Sequence, residues 1–352
     1  MSSLWQSLST PIFALAPMED VTDTSFRQLV QRWAGRWGSP GPGVMFTEFT
    51  RTDTAIRSTA NVDGRLRFDA SEHPLVAQIW GTRPEEFAPA TAALEQQGFA
   101  GVDINMGCPA WKIRKSGACS GLITNPAVAG EIIQACRQGS TLPLSVKTRI
   151  GLTYPETERW CGYLLEQQID ALTVHGRVAD QMSEGWADWR ELRRVVALRD
   201  AIAPHTRIIG NGDVLSLAHG RRLVEQTGVD GIMIGRGVFY DPLLFSREGI
   251  ELPPWEEMPQ DDRLLLLAEQ IRHFHDTWQG TRNYEILKKF FRNYFLITDV
   301  AEQTLLRRLY TTGNAADALR MIDAITPLPR ELCISVQEEE EAMDKWWAFT
   351  DA

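Results

Sequence analysis

Residues 144–177 read LSVKTRIGLTYPETERWCGYLLEQQIDALTVHGR, and this stretch contains one strand–helix–strand repeat. The apolar, β-branched runs Leu144–Arg149 and Ala171–His175 are typical of buried strands. The segment Glu156–Gln167 between them has the apolar spacing of a helix. Strands that alternate with helices in this way predict β-α units built on a parallel sheet.

The same alternation continues through the first 250 residues or so, with eight strand candidates and helical segments such as Pro84–Gln97 and Pro126–Arg137 between them. Eight repeats in about 240 residues predict a (β/α)8 TIM barrel. A doubly wound open sheet is the alternative, but it would carry a glycine-rich turn after its first strand, and APMED at 16–20 is not one. The strand candidates are Ile12–Ala16, Val44–Thr47, Leu75–Trp80, Gly101–Asn105, Leu144–Arg149, Ala171–His175, Arg207–Gly210 and Gly231–Gly235.

The remainder of the chain lacks strand signals. LPPWEEMP at 252–259 is dense in proline and acidic residues, which is typical of a linker. Helical patterns follow at Asp261–Trp278, Asn283–Ile297, Glu302–Tyr310 and Ala315–Ala324. The sequence therefore predicts a barrel with the active site at 1–250, a linker at 251–260, a small helical domain at 261–330 and an acidic segment at 331–352.

Composition excludes several classes of protein. The chain has 352 residues and five cysteines, an odd number with irregular spacing, so neither a disulfide framework nor a zinc site is expected. Its apolar runs are too short for a membrane span, and its first residues do not form a secretory signal. We therefore expect a cytoplasmic protein without a metal site.

The net charge of −10 argues against a nucleic-acid binder, but the charge is unevenly distributed. Residues 331–352 hold seven acidic residues and one basic residue, whereas residues 282–308 hold six basic and three acidic residues. The sequence therefore allows a local basic surface on a protein that is acidic as a whole.

Polar or reactive residues lie in or directly after all eight predicted strands. In a TIM barrel the carboxyl ends of the strands form the active-site face, so this distribution indicates a site. These residues are Pro17, Met18, Glu19, Glu48, Arg51, Gln78, Asn105, Cys108, Lys147, Arg149, His175, Arg177, Asn211, Gly212, Asp213, Gly235 and Arg236.

Two of these strand ends favour a phosphate. Asn211-Gly212-Asp213 and Gly235-Arg236-Gly237 combine glycines, which allow close backbone approach, with a guanidinium donor. The alternative is that the glycines are ordinary turn residues. Lys147 lies within an apolar strand and needs a negative partner, either a bound anion or electron-rich ring or a barrel carboxylate such as Asp103.

Cys108 is the candidate general acid. It precedes a loop rich in Gly, Ser, Lys and Arg, and an ordinary cysteine, with a pKa of about 8.5, is mostly protonated at neutral pH. The alternative is a small buried hydrophobic residue. Cys119 lies in the same loop, while Cys136 and Cys161 fall in helical patterns. His175, placed at a strand end, favours a ligand contact over a role in the core.

Several of these motifs together resemble the bacterial type of tRNA-dihydrouridine synthase. The resemblance covers nearly the whole chain, and its most specific part is the Asn-x-Gly-Cys-Pro block with the glycine-rich loop after it. The motifs are APMEDVTD at 16–23, NMGCPAWKIRKSGACSGL at 105–122, SVKTRIG at 145–151, LTVHGR at 172–177, NGDV at 211–214 and IMIGRG at 232–237.

The resemblance implies an FMN-dependent, NADPH-reduced enzyme that converts uridines of tRNA to 5,6-dihydrouridine, with Cys108 as the proton donor. Residues implied at the cofactor are Pro17, Met18, Glu19, Gln78, Lys147, His175, Asn211, Gly212, Asp213, Gly235 and Arg236. Residues implied at the target nucleotide are Arg51, Asn105 and Arg149. Lys288 and Arg292, four apart in the helical domain, are implied at the tRNA, and the basic loop at 112–115 is a second candidate.

Two other functions remain open from the sequence. A flavin barrel that acts on a small molecule would share Lys147 and the phosphate loops, but it would not explain the basic helical segment. A non-catalytic RNA-binding protein on a degenerate barrel is the second alternative. We expect a monomer, because no feature requires a protein partner.

Overall fold

The computed structural model describes residues 4–57, 64–296 and 298–326. All pairings in its sheet are parallel, and the last strand pairs with the first, with Ile12 opposite Gly231. The described strands are β1 Ile12–Leu15, β2 Val44–Phe46, β3 Thr50–Arg51, β4 Leu75–Trp80, β5 Gly101–Met106, β6 Leu144–Arg149, β7 Ala171–His175, β8 Arg207–Asn211 and β9 Gly231–Ile234.

These strands close a barrel. β2 pairs with both β1 and β4, so eight strands form the ring, and the two-residue β3 only extends the edge of β4. Burial on both faces explains why the strands are apolar runs with little polar alternation. The predicted TIM barrel is confirmed, and β3 is a feature that the sequence did not predict.

Helices begin and end at residues that the sequence marks. Pro126 occupies the first turn of its helix, Ser216 caps the N–H of His219, and Gly98 and Gly228 end two helices in the left-handed conformation. The helices described up to residue 240 are α1 Leu4–Ser7, α2 Thr24–Arg36, α3 Thr52–Arg57, α4 Phe87–Gln97, α5 Trp111–Lys115, α6 Pro126–Gly139, α7 Thr157–Glu166, α8 Trp189–Ile202, α9 Leu217–Thr227 and α10 Gly237–Tyr240.

The barrel interior changes character along its axis. Near the amino ends of the strands it is an apolar cluster that includes Ile12, Val44 and Val76, and Trp5 from α1 packs into it with no exposed surface. Toward the carboxyl ends the inward-facing residues become polar, as with Gln78 and Asp103. The chain thus keeps its chemistry at one end of a packed core, as is usual for this fold.

The chain divides into two compact units. Within the described ranges, the first comprises residues 4–28, 42–57 and 64–238, and the second comprises residues 29–41, 239–296 and 298–326. In the second unit, the indole of Trp33 donates to Glu269, and Ser39 donates to the carbonyl of Phe245 at 2.9 Å. The glycine- and proline-rich loop at 35–43 is therefore largely part of the second unit.

The second unit is helical. Its longer described helices are α11 Gln260–Trp278, α13 Val300–Tyr310 and α14 Ala315–Asp323, and the short α12 covers Lys288–Phe291. The stretch predicted as a linker lies inside this unit, where Trp255 is buried and its indole donates to the carbonyl of Asn293 at 2.8 Å. The domain boundaries inferred from the sequence stay a prediction, and the acidic segment 331–352 lies outside the described residues.

A buried ion pair holds this unit together. Arg263 on α11 binds both carboxylate oxygens of Glu302 on α13, at 2.6 and 3.0 Å, and both side chains are almost fully buried. The same guanidinium donates to the carbonyls of Tyr294 and Met258. Because every charge in this cluster has several partners, burial of the pair is tolerated.

The predicted helix at 283–297 differs from the observed backbone. Here the chain forms a 3₁₀ turn at Tyr284–Leu287, the short α12, and a second 3₁₀ turn at Arg292–Tyr294. The aromatic rings of Phe290, Phe291 and Tyr294 are all buried in this segment, and its backbone is not a regular α-helix. Across the described ranges, no helix is long and apolar enough to cross a membrane.

Candidate functional site

A hydrogen-bond network across β4, β5 and β6 positions Cys108. The Asp103 carboxylate accepts from Gln78 and Ser145, at 2.7 and 2.6 Å, and the Gln78 amide oxygen accepts from Asn105 at 3.0 Å. The Asn105 side-chain oxygen in turn accepts from the backbone N–H groups of Gly107 and Cys108 at 3.0 and 2.9 Å. The cysteine that follows β5 is thus fixed through its backbone by buried polar groups.

The thiols of Cys108 and Cys119 interact. Cys119 is buried, has a positive φ of 52°, and shares a side-chain hydrogen bond with the partly exposed Cys108. That hydrogen bond, together with a backbone hydrogen bond at Ala110, lowers the pKa of Cys108 to about 6, although burial opposes the shift. Burial raises the pKa of Cys119 well above its usual range.

This pKa corrects one expectation. Nothing in the sequence indicates that Cys108 differs from an ordinary thiol, which is mostly protonated at neutral pH. With a pKa of about 6, Cys108 is a stronger acid, and it is largely ionised at pH 7 in the protein alone. Cys119 lies eleven residues further along the same loop, but the sequence does not show that the two side chains form a hydrogen bond.

Lys147 projects into the polar end of the barrel. Its ammonium group donates to the Asn211 side-chain oxygen at 3.3 Å, and Asn211 donates to the carbonyl of Met233 at 2.7 Å. Burial lowers the pKa of Lys147 to about 8, and Arg149 adds to this shift while Asp103 opposes it. Asp103 is bound by Gln78 and Ser145, and burial raises its pKa to about 6. The cation is thus held mainly by a neutral amide.

Beyond β7 and β8, Arg177 organises the loops. Its guanidinium donates to both oxygens of Asp213 at 2.7 Å and to the carbonyls of Glu184 and Gly185. It also lies 3.0 Å from Nε2 of His175. Burial and the surrounding cations hold the pKa of His175 well below its usual value, so the imidazole is neutral at physiological pH.

Two glycines stand close to this cluster. At Gly212, with a φ of 131°, a Cβ atom would lie 2.5 Å from Ala187 and 3.1 Å from His175, so only glycine fits. A Cβ at Gly235 would lie within ordinary contact of Met18, which places the ends of β9 and β1 side by side. Arg236 is half exposed and donates to Asp213 at 3.0 Å.

The end of β1 contributes Pro17, Met18 and Glu19. Glu19 forms an ion pair with Arg65 at 2.5 Å, and burial raises its pKa against the effect of that arginine. The adjacent backbone N–H of Asp20 donates to the buried Glu48 at 2.7 Å. The loops after β1 and β2 are therefore connected.

The predicted substrate residues of the barrel occupy different environments. Arg149 is 7% exposed and donates to the carbonyls of Gly107 and Val178, at 2.9 and 3.1 Å, so it clamps the Cys108 loop to the loop after β7. Burial lowers its pKa to about 10, which leaves it charged at pH 7. Arg51 is largely exposed, pairs with Asp53 at 3.1 Å and lies over the ring of Trp80.

Lys288 and Arg292 belong to the second unit. Lys288 is mostly buried, with its ammonium group 2.7 Å from Glu285 and over the ring of Tyr284. Arg292 is exposed. Because the helix is broken between 3₁₀ and α geometry, spacing by four residues no longer guarantees a common face.

Most of the chain, and not only its site, matches a known family. The family model described as "Dihydrouridine synthase (Dus)" matches residues 14–326. The chain belongs to the dihydrouridine synthase family. The resemblance predicted from the motifs is thereby confirmed, and with it the prediction of an enzyme of this family.

Curated relatives in the dihydrouridine synthase family match over most of their length. The chain is 39% identical over 325 residues to a "Probable tRNA-dihydrouridine synthase" of Staphylococcus aureus (strain Mu50 / ATCC 700699), covering 91% of this chain and 95% of the relative. It is 42% identical over 297 residues to a "Probable tRNA-dihydrouridine synthase 2" of Bacillus subtilis (strain 168), covering 83% and 87%. Among solved structures, morphinone reductase aligns at 13% identity with a TM-score of 0.49, over 70% of this chain and 87% of that chain.

Proposed function

We propose that this dihydrouridine synthase reduces the C5=C6 bond of specific uridines in tRNA to 5,6-dihydrouridine, with FMN as its flavin and NADPH as the reductant. The observation that carries the proposal is the placement of Cys108. Asn105 fixes the Cys108 backbone at the polar end of the barrel and Cys119 hydrogen-bonds its side chain, so the protonated form of this thiol is positioned to act as a general acid.

The residues at the barrel mouth fit an FMN. The Lys147 ammonium has a neutral hydrogen-bond acceptor, Asn211, so its charge is available to an electron-rich ring. Gly212 packs closely against His175, and the half-exposed Arg236 beside it provides a charged donor with which a phosphate would pair. Under this proposal Pro17, Met18 and Glu19 border the ring, and Gln78 and Lys147 bond it. His175, Asn211, Gly212, Gly235 and Arg236 hold the ribityl chain and phosphate, with Asp213 beside them.

Asp213 takes an indirect part in this arrangement. A carboxylate repels a phosphate, but Asp213 is paired with both Arg177 and Arg236. We therefore assign Asp213 to the positioning of these two guanidinium groups.

Lys147 and the other residues proposed at the ring would hold a flavin whose reduced form would supply the hydride for C6 of the uracil ring. Cys108 donates the proton to C5, and Asn105 and Arg149 hold the Cys108 loop in place. Arg51, Asn105 and Arg149 are proposed to contact the target nucleotide or its neighbours. Because C6 is unreachable in folded RNA, the target base has to leave its stack before it enters the site.

The test is direct. The purified chain, reconstituted with FMN, is incubated with NADPH and an unmodified tRNA transcript, and dihydrouridine is measured by nucleoside mass spectrometry. We expect product with tRNA and none without protein. NADPH oxidation that is stimulated by a small enone or by dihydroorotate, with no dihydrouridine formed in tRNA, would favour the small-molecule reductase. A protein that binds tRNA but takes up no flavin would favour the non-catalytic alternative.

Mapping dihydrouridine in tRNA from a deletion strain, with and without this gene, would identify the target uridine. Action as a monomer in the cytoplasm is a further expectation, which size-exclusion chromatography and cell fractionation test.

A further inference from the structure

Three loops at the carboxyl end of the barrel meet at Asp180. Arg114 on α5, the helix that follows Cys108, forms an ion pair with the Asp180 carboxylate. The backbone N–H of Asp180 donates to the carbonyl of Leu152 at 2.9 Å, and Thr153 hydrogen-bonds its carboxylate. The segments after β5, β6 and β7 are therefore linked into one surface beside the catalytic cysteine.

This surface carries large exposed aromatic side chains, one from each loop. Trp111, Tyr154 and Trp186 are 61%, 65% and 74% exposed, and Met182 lies on the same loop as Trp186. These four side chains are nearly half of the large hydrophobic side chains exposed in the described ranges. Such a concentration of exposed aromatic surface marks a binding site.

The backbone under Trp186 is held rigidly although its side chain is in water. The buried Arg177 donates to the carbonyls of Glu184 and Gly185, and the N–H of Ala187 donates to Asp213 at 2.7 Å. An indole presented on a fixed backbone loses little entropy when it stacks on a ligand.

The charges on α5 indicate which ligand fits. Its five residues, WKIRK, include three basic residues and no acidic one, and the Lys115 ammonium lies 4.6 Å from the centre of the Trp111 ring. Aromatic faces interleaved with cations suit single-stranded RNA, whose unstacked bases stack on rings while its phosphates pair with lysine and arginine.

We propose that Trp111, Tyr154 and Trp186 form an aromatic platform that stacks unpaired nucleobases flanking the uridine presented to Cys108. This rests on the proposed function, because it takes the substrate to be the folded RNA whose target base leaves its stack. The platform compensates for the disrupted stacking of the bases next to the target.

The experiment measures affinity for an unmodified tRNA transcript with the full-length, FMN-loaded chain, by fluorescence anisotropy at several salt concentrations. We expect Trp111→Ala and Trp186→Ala each to weaken binding by about 5- to 100-fold, as loss of one stacked base does. The slope of log Kd against log salt should stay unchanged, because neither variant removes a cation that pairs with a phosphate. Trp186→Phe should keep most of the affinity.

The matched control is Tyr240→Ala, which removes an aromatic side chain of similar exposure, 58%, from another part of the chain. NADPH-dependent flavin reduction without tRNA should be the same in all variants, which shows that they are folded and loaded. If Trp111→Ala and Trp186→Ala bind tRNA with wild-type affinity, the aromatic platform is overturned and the proposed function still stands. Failure of the wild type to bind or reduce tRNA overturns both.

Discussion

At the scale of single residues, Cys108 carries the proposed chemistry. We expect Cys108→Ala to bind FMN and to be reduced by NADPH at the wild-type rate, because the thiol takes no part in that step. Transfer to tRNA should slow by about 100-fold or more, as loss of a general acid predicts. Stopped-flow measurement of the two half-reactions separates these effects.

The control is Cys136→Ala, which removes a buried thiol on α6 outside the site and should leave both half-reactions unchanged. If tRNA reoxidises the flavin of Cys108→Ala at the wild-type rate, another group donates the proton.

Cys119 sets the acidity of Cys108, and this has a measurable pH dependence. A thiolate reacts with iodoacetamide and a thiol does not, so Cys108 should be alkylated with a midpoint near pH 6. Removal of the hydrogen bond in Cys119→Ala should move that midpoint upward. Conversely, the fraction of Cys108 able to donate a proton falls as pH rises through its pKa, so the tRNA half-reaction should slow above pH 6.

Peptide mass spectrometry after timed alkylation gives the midpoint directly. A wild-type midpoint near that of an ordinary cysteine, about 8.5, would contradict this account.

The sequence locates residues within the barrel where their position in a strand decides the outcome, while their roles in binding stay predictions. Lys147 and Asn105 were assigned to the site because they follow or interrupt apolar strands, and both lie at the polar end of the barrel. The central role of Arg177 was not predicted, because its partner Asp213 is 36 residues away and no local pattern joins them. The clamp formed by Arg149 was missed for the same reason.

At the scale of elements, the strands were located to within one or two residues, since burial on both faces leaves a continuous apolar signal. The apolar spacing of the segment 283–297 predicts one helix. The sequence does not predict the three short helical turns that the structure has there, because they depend on tertiary packing.

The buried pair between α11 and α13 leads to a stability prediction. Glu302→Gln leaves the Arg263 guanidinium buried without its carboxylate, so we expect the unfolding free energy to fall by about 3–5 kcal/mol. Arg320→Ala, which breaks an exposed ion pair on α14, should cost no more than about 1 kcal/mol. Urea denaturation of the full chain, followed by circular dichroism, measures both, and equal destabilisation of the two variants would refute the assignment.

At the scale of the whole molecule, affinity for RNA has to arise from local basic patches, because the net charge is −10. We expect Lys288→Ala combined with Arg292→Ala to weaken tRNA binding and to leave flavin content unchanged. Each cation–phosphate pair that the substitutions remove should reduce the salt slope by roughly 0.7–0.9. Since Lys288 is already paired with Glu285, Arg292 should account for most of the effect.

Titration of tRNA binding against salt in the single and double variants provides the measurement. Unaltered affinity of the double variant at moderate salt would shift the assignment to the basic residues of α5.

We propose that the polar end of the barrel couples a bound flavin to Cys108 for the reduction of uridine in tRNA. The most direct measurement is stoichiometric. The FMN-loaded protein is reduced under anaerobic conditions, excess NADPH is removed, and unmodified tRNA is added while flavin reoxidation and dihydrouridine are quantified together. The account predicts one dihydrouridine for each flavin reoxidised. Reoxidation without dihydrouridine, or a reduced flavin that tRNA leaves unchanged, would contradict it.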